Sequence, residues 1–141
     1  MSALGSHISS PALGRFYKRN GHKGRIQPED RCFWLERDGA IVAAARLSPL
    51  EDKQPTGLLR GLWVERELRG QQLGGKLFMA LMQQVEPQSL YCFAYHDAVP
   101  FYLRHGFTQT LPDTTPTQLI IKQQTYQQRG SDTCLLYHPW S

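Results

Sequence analysis

Arg69-Gly70-Gln71-Gln72-Leu73-Gly74-Gly75-Lys76-Leu77 decides how this chain is read. An apolar run at residues 58–64 precedes it. A helical pattern over 73–85 follows, in which Leu73, Leu77, Leu81 and Val85 step by four with Phe78 and Met82 alongside. Strand, Gly-rich turn, helix is an order that offers backbone N–H groups to an anion. The first amides of a helix have no acceptor within it, and the helix dipole adds partial positive charge there. Glycines relax φ and let the backbone approach closely, while Arg69 and Lys76 add full charges. Two common phosphate patterns do not fit. G-x-x-x-x-G-K-[ST] fails because Leu77 follows Lys76, and G-x-G-x-x-G fails because Gln72 stands two residues after Gly70.

A second segment, Ala98-Val99-Pro100-Phe101-Tyr102-Leu103-Arg104-His105-Gly106-Phe107, reads as a short helix presenting Phe101 and Tyr102. Asp97 is placed to cap it. Pro100 falls in the first turn, where a missing N–H costs little. Gly106 suits the left-handed end, and Phe107 can fold back as the accompanying apolar contact.

Working outward, residues 11–20 have helical spacing, with Leu13, Phe16 and Tyr17 on one side and Gly21 at the end. Residues 21–30 are polar loop. Residues 31–37 and 40–47 read as strands joined by the Asp38-Gly39 hairpin signal, and 58–64 as the next strand. Residues 89–95 are apolar on both faces, as a central strand requires. Residues 119–127 and 133–138 read as an antiparallel pair around Arg129-Gly130. Residues 3–9 make a poor strand, so an N-terminal strand is expected to be vestigial or absent. The pattern is α+β, with the Gly-rich loop between the third strand and the central helix.

Bulk properties narrow the class. At 141 residues one domain over 1–141 is expected, with room for a hydrophobic core. No apolar run approaches the ~20 residues that span a bilayer, and no signal-peptide pattern opens the chain, so a cytoplasmic protein without membrane partners is expected. Cys32, Cys92 and Cys134 form no C-x-x-C, which signals neither a zinc site nor a redox pair; buried free thiols are expected and no metal. The net charge of +4 gathers early, at Arg15, Lys18, Arg19, Lys23 and Arg25. No nucleic-acid motif accompanies it, so a solvated basic face is favoured over a nucleic-acid surface.

The two quoted segments together resemble the GNAT acetyltransferase superfamily, in the form of a small single-domain bacterial-type member. Arg69 and Gly74 match the first and last positions of its Arg/Gln-x-x-Gly-x-Gly/Ala signature, with Gln72 in place of the middle glycine. Ala98, Phe101, Tyr102, Gly106 and Phe107 match its later Ala-x-x-Phe-Tyr-x-x-x-Gly-Phe motif. The resemblance covers roughly residues 31–139. It implies a mixed, mainly antiparallel sheet of about six strands flanked by helices, with a splayed central parallel pair.

It also implies acetyl-CoA as cosubstrate. The pyrophosphate is expected on Arg69, Gly70, Gln71, Gln72, Leu73, Gly74 and Gly75, and pantetheine on the backbone of Leu62, Trp63 and Val64. The Trp63 side chain itself reads more simply as core. By the same resemblance Tyr102 is the general acid for the departing thiolate, a task suited to a phenol, and a backbone N–H near Val64 is the oxyanion donor. His96, just past the central strand, is the candidate base. Glu65 lies just beyond the third strand, and Glu36, Glu51 and Asp52 lack positional support. Tyr95 stands where the family often has asparagine. The acceptor is expected to be a primary amine of a small molecule or peptide, set by the first helix, its following loop and the last strands. A homodimer is compatible with such a domain. The runner-up reading is a non-catalytic acetyl-CoA-sensing module that regulates a protein partner.

Overall fold

The computed structural model describes residues 3–7, 11–22, 24–50 and 55–139, the first of these stretches through its backbone alone. In chain order the elements are β1 Ala3–His7, α1 Pro11–Arg19, β2 Arg31–Arg37, β3 Ala40–Leu50, β4 Thr56–Val64, α2 Leu73–Gln84, β5 Ser89–Tyr95, α3 Val99–Arg104, α4 Thr117–Gln128 and β6 Thr133–His138. Two 3-10 turns, Arg66–Leu68 and His96–Ala98, precede α2 and α3. The strands hydrogen-bond in the order β1-β2-β3-β4-β5-β6. Pairing is antiparallel at β1–β2, β2–β3 and β5–β6. One pair of neighbouring strands in the sheet is parallel. The result is the mixed, mainly antiparallel α+β sheet with flanking helices that the resemblance implies. Five of its strands, β2 to β6, are described with side chains, and β1 adds an edge defined by backbone pairing. Contacts group the chain into two compact units, Met1–Pro49 with Leu59–Glu86, and Leu50–Leu58 with Pro87–Ser141.

In the first unit, α1 buries Leu13, Phe16 and Tyr17, positions that share one face at helical spacing. They pack with Cys32 of β2, Ile41 and Ala44 of β3, and the half-buried Trp34 and Trp63. The β2–β3 hairpin turns through Asp38 (φ 55°) and Gly39 (φ 79°). Two successive left-handed residues give the turn whose twist matches the strands, as Asp38-Gly39 predicts. All of β3 from Ile41 to Ser48 is buried, so any polar group there must find partners in the protein. The helix α2 packs on β2 and buries Leu73, Leu77, Phe78 and Leu81. It ends one residue short of the expected boundary: Val85 is extended, and its N–H still reaches Leu81 O at 3.1 Å.

In the second unit, β5 and β6 pair from Leu90↔His138 to Tyr95↔Thr133. Leu58, Tyr91, Leu119 and Leu135 form its core, with Leu50, Phe93 and Tyr137 packed around them.

Three expectations are corrected. Residues 119–127 are helical within α4, not a strand beside β6. Leu119-Ile120-Ile121 looks like strand sequence, but only Leu119 is buried and Ile121 is 56% exposed. The glutamines that follow are good helix formers, and Gly130 (φ 72°) accepts the turn after the helix. What pairs with β6 on that side is a single residue, Thr108, whose N–H donates to Tyr137 O at 2.7 Å and whose carbonyl accepts from Tyr137 N–H at 2.9 Å. Second, the N-terminal strand is present: β1 pairs with β2 from Ala3↔Glu36 to His7↔Cys32. Its sequence lacks β-branched residues, and the open edge of β2 supplies the pairing instead. Third, Asp97 lies within the 3-10 turn and does not cap α3, which begins after Ala98.

Candidate active site

The loop between β4 and α2 is shaped by two left-handed residues. Gly70 has φ 87°, and Gln72 has φ 63° and ψ 21° at the N-cap of α2. Gln72 holds the conformation that glycine adopts most cheaply, at the position where the resembling signature has glycine. For a residue with a Cβ this costs about 1–2 kcal/mol. From Gln72 the helix starts at once, with Lys76 N–H donating to Gln72 O at 3.1 Å. Leu73 anchors the first turn in the core; Arg69, Gln71, Gln72 and Lys76 are exposed, while Gly74 and Gly75 are half-buried. Arg69 ties the loop back to β4. Its Nε donates to Val64 O at 3.2 Å, and its guanidinium lies over the Trp63 ring at 5.7 Å.

The carboxylate nearest β4 is already committed. Glu65 accepts from Asn20 Nδ2 at 2.9 Å and from Arg19 at 3.2 Å, and its own N–H donates to Val42 O at 2.8 Å. Burial pushes its carboxyl up, but the Asn20 and Arg19 hydrogen bonds and nearby arginines outweigh this and hold it below the usual range. Glu65 braces α1 against the end of β4 and is a poor base. Glu36 accepts from Trp34 Nε1 at 3.1 Å on an exposed part of β2. Glu51 and Asp52 lie outside the described residues.

Trp63 turns its ring to α1, not outward. Its Nε1 donates to Asn20 O at 3.0 Å, and its ring sits 4.8 Å from that of His22. His22 in turn lies 4.6 Å from the Tyr17 ring. Behind these rings is a buried polar cluster that the sequence reading did not single out. Arg46, 1% exposed in the middle of β3, pairs with the fully buried Asp30 at 3.4 Å. It also donates to Arg25 O, and its other terminal nitrogen meets His22 Nε2 at 3.1 Å. Asp30 is completed by Ser48 Oγ and by Gln27 N–H. The Arg46 Nε has no hydrogen-bond partner. Burial, then the charges of Arg46 and Arg60, lower His22 to about 4.

Tyr17 and His22 also wall a cavity of about 450 Å³ beside α1, together with Lys18, Ile26 and the glycines at 14, 21 and 24. A Cβ at Gly24 would crowd His22 Nε2 and the Arg46 guanidinium, so a larger residue there would have to displace them. Gly61 of β4 (φ 59°) is similarly constrained, its Cβ position lying 2.9 Å from Tyr17 Oη. Two signals in the sequence point here. A lone arginine interrupts the apolar run of β3, and His22 sits among glycines in the loop after the first helix, a segment the resemblance assigns to the acceptor.

In the second unit, Tyr102 is buried at 8% exposure on α3. Its ring meets Phe101 and Phe107 edge-on at 5.1 and 5.3 Å. Its carbonyl accepts from the Phe107 N–H at 3.0 Å, closing the helix through Gly106 (φ 93°). Burial pushes the Cys92 thiol up to about 12, against a hydrogen bond with Tyr102 that pulls the other way. His96 is exposed on the 3-10 turn, held by its N–H donating to Asp132 O at 2.9 Å. Thus Leu62, Trp63, Val64 and the 69–75 loop share the first unit, while Tyr102 and His96 share the second.

The model of the acetyltransferase (GNAT) family matches residues 6–107, from β1 through Phe107. This chain belongs to that family. Membership makes it an N-acetyltransferase by class. The matched span stops before α4, the element that departs from the expected strand pair. No curated protein matches the sequence. Among solved structures, the chain is similar to ElaA of Escherichia coli, with 15% identity and a TM-score of 0.69 over 98% of this chain and 99% of that one. It is similar to an acyl-CoA N-acyltransferase from Pseudomonas aeruginosa, with 14% identity and a TM-score of 0.66 over 98% and 99%. N-acetylglutamate synthase from Neisseria gonorrhoeae, complexed with coenzyme A and N-acetyl-glutamate, is 14% identical with a TM-score of 0.66; the match covers 96% of this chain but 35% of the synthase. These likenesses show a shared fold. Among the described residues, no helix is long and apolar enough to cross a membrane, and no group of three or more His, Cys, Asp or Glu side chains could hold a metal ion.

Proposed function

We propose that this protein transfers an acetyl group from acetyl-CoA to a primary amine of a small molecule or peptide in the cytoplasm. The observation that carries the reading is the 69–75 loop. It turns through left-handed Gly70 and Gln72 directly into α2, a geometry suited to holding a pyrophosphate on helix N-terminal amides. Arg69 supplies a charge already oriented on Val64 and Trp63. Within this reading, Leu62, Trp63 and Val64 offer backbone groups to pantetheine. A backbone N–H near Val64 serves the oxyanion, and Tyr102 protonates the leaving thiolate. His96 takes the amine proton, and its replacement by glutamine then lowers turnover while coenzyme A affinity holds. Coenzyme A bound to an N-acetyl-glutamate-making neighbour of the same fold supports the cosubstrate.

Calorimetry with acetyl-CoA, followed by thiol release against an amine panel, tests the proposal. Saturable binding with turnover supports it. Binding without turnover on any amine points to a sensing module, and no binding overturns it.

A further inference from the structure

We propose that the amine acceptor carries a carboxylate, as amino acids do, and that His22 and Lys18 hold that carboxylate in the cavity beside α1. The inference rests on the acetyl-transfer reading and names its substrate class.

The chemistry starts from Arg46. A guanidinium has only donors. Its 3.1 Å contact with His22 Nε2 therefore fixes that nitrogen as the acceptor, and the ring proton must sit on Nδ1. The ring is neutral, in keeping with the lowering that burial and the neighbouring arginines impose. With Nε2 occupied and Nδ1 protonated, His22 cannot serve as a base. Its remaining chemistry is one N–H donor. Arg46 is itself locked by Asp30 and Arg25 O on one side, and the His22 ring lies between the tilted rings of Tyr17 and Trp63. That donor is thus pre-oriented, which lowers the entropy lost on binding a ligand.

Charge selects what it binds. Lys18 lines the cavity, and the described lining residues include no carboxylate. Arg46 and Arg60 add positive potential at His22. Asp30, the carboxylate paired with Arg46, is already shared by Arg46, Ser48 and Gln27. A bare polycationic amine is repelled here. A carboxylate gains a lysine charge and a pre-oriented N–H donor, a charge-assisted pairing. Glycines at 14, 21 and 24 keep side chains out of the space.

The test pairs L-amino acids with the amines left when their carboxylates are removed, such as L-phenylalanine with 2-phenylethylamine. Thiol release gives kcat/KM for each member. Independently, NMR titration measures binding of the N-acetyl amino acid and the N-acetyl amine to the coenzyme A-saturated protein. The carboxylated member is expected to be favoured by about tenfold or more, the equivalent of one good charge-assisted contact at 1.4 kcal/mol. His22→Phe, which keeps a ring between Tyr17 and Trp63, removes that advantage. Lys18→Glu, on the exposed side of α1, removes it without touching the core. Equal use of both members, with turnover intact, overturns the carboxylate site and leaves acetyl transfer standing. Binding of N-acetyl amino acids that depends on His22 and Lys18, without turnover, upholds the site and sinks the transfer reading. Failure of every N-acetyl amino acid to bind, or displacement only by inorganic phosphate, overturns the proposal.

Discussion

The Arg46 guanidinium and the His22 ring meet at 3.1 Å in an order that only one protonation state allows, with arginine donating and Nε2 accepting. The pair links the middle of a buried strand to the wall of a surface cavity. Burial first, then the charges of Arg46 and Arg60, lower a histidine that ordinarily titrates near neutrality to about 4 and leave it a neutral donor.

A pH dependence of stability follows. His22 has a folded value of about 4 against an ordinary 6.5, so between these values the unfolded chain binds more protons than the folded one. Stability is then complete above about pH 6.5 and is lost progressively as pH falls toward 4. His138, lowered by burial, acts in the same direction. The groups around His22 that carry charge, Arg46 and Arg60, stay charged throughout. Melting temperature measured from pH 7.5 to 4.5 is expected to fall, and the fall is expected to be shallower in His22→Phe. An unchanged slope in that variant contradicts the Arg46–His22 assignment.

Replacing Gln72 by glycine is expected to stabilise the fold by about 0.5–1 kcal/mol, because the strain of a left-handed Cβ-bearing residue is removed, partly offset by the greater freedom of glycine in the unfolded chain. Denaturant midpoints measure this. The variant also restores the family signature, and acetyl-CoA affinity is expected to hold or improve. A destabilised Gln72→Gly protein shows that the Gln72 side chain makes a contribution beyond its backbone conformation.

Gly74→Glu places a side chain and a negative charge in the first turn of α2. The fold is expected to survive, since that position is only half-buried. Acetyl-CoA affinity by calorimetry is expected to drop by about tenfold or more, at least 1.4 kcal/mol. Wild-type affinity in a folded Gly74→Glu protein removes the pyrophosphate from this loop.

Tyr102→Phe keeps the edge-on packing with Phe101 and Phe107 and deletes the phenol oxygen. Coenzyme A affinity is expected to stay constant while kcat falls by about 10²–10⁴-fold, the usual cost of a lost general acid. A normal kcat with the preferred amine reduces Tyr102 to a packing residue between α3 and β5.

Much of the fold was legible because single residues carry decisive constraints. Asp38-Gly39 permits one tight hairpin, Gly106 one way of ending α3, and the four-step apolar spacing of α2 one buried face. Where periodicity is weak, reading failed. The helix α4 buries a single leucine and carries β-branched residues at its start, so its sequence resembles a strand until the glutamines are weighed. The strand β1 is defined by what β2 lacks on its edge and not by its own composition. At the site, the loop residues and Tyr102 were readable from their motifs. The Arg46–His22–Asp30 cluster was not, because its members are scattered over residues 22 to 46 and meet only when α1, its loop and β3 fold together.

The burial of Cys92 and Cys32, both with thiols pushed up, bears on how turnover can be observed. Disulfide reagents react with thiolates, and these two sulfurs are neither ionised nor reachable while the chain is folded. Only the half-buried Cys134 can contribute a slow background colour when released coenzyme A is followed with such a reagent. A rise from about one reactive thiol to three in an enzyme-only control then reports unfolding in the cuvette, giving each kinetic trace its own internal gauge of native protein.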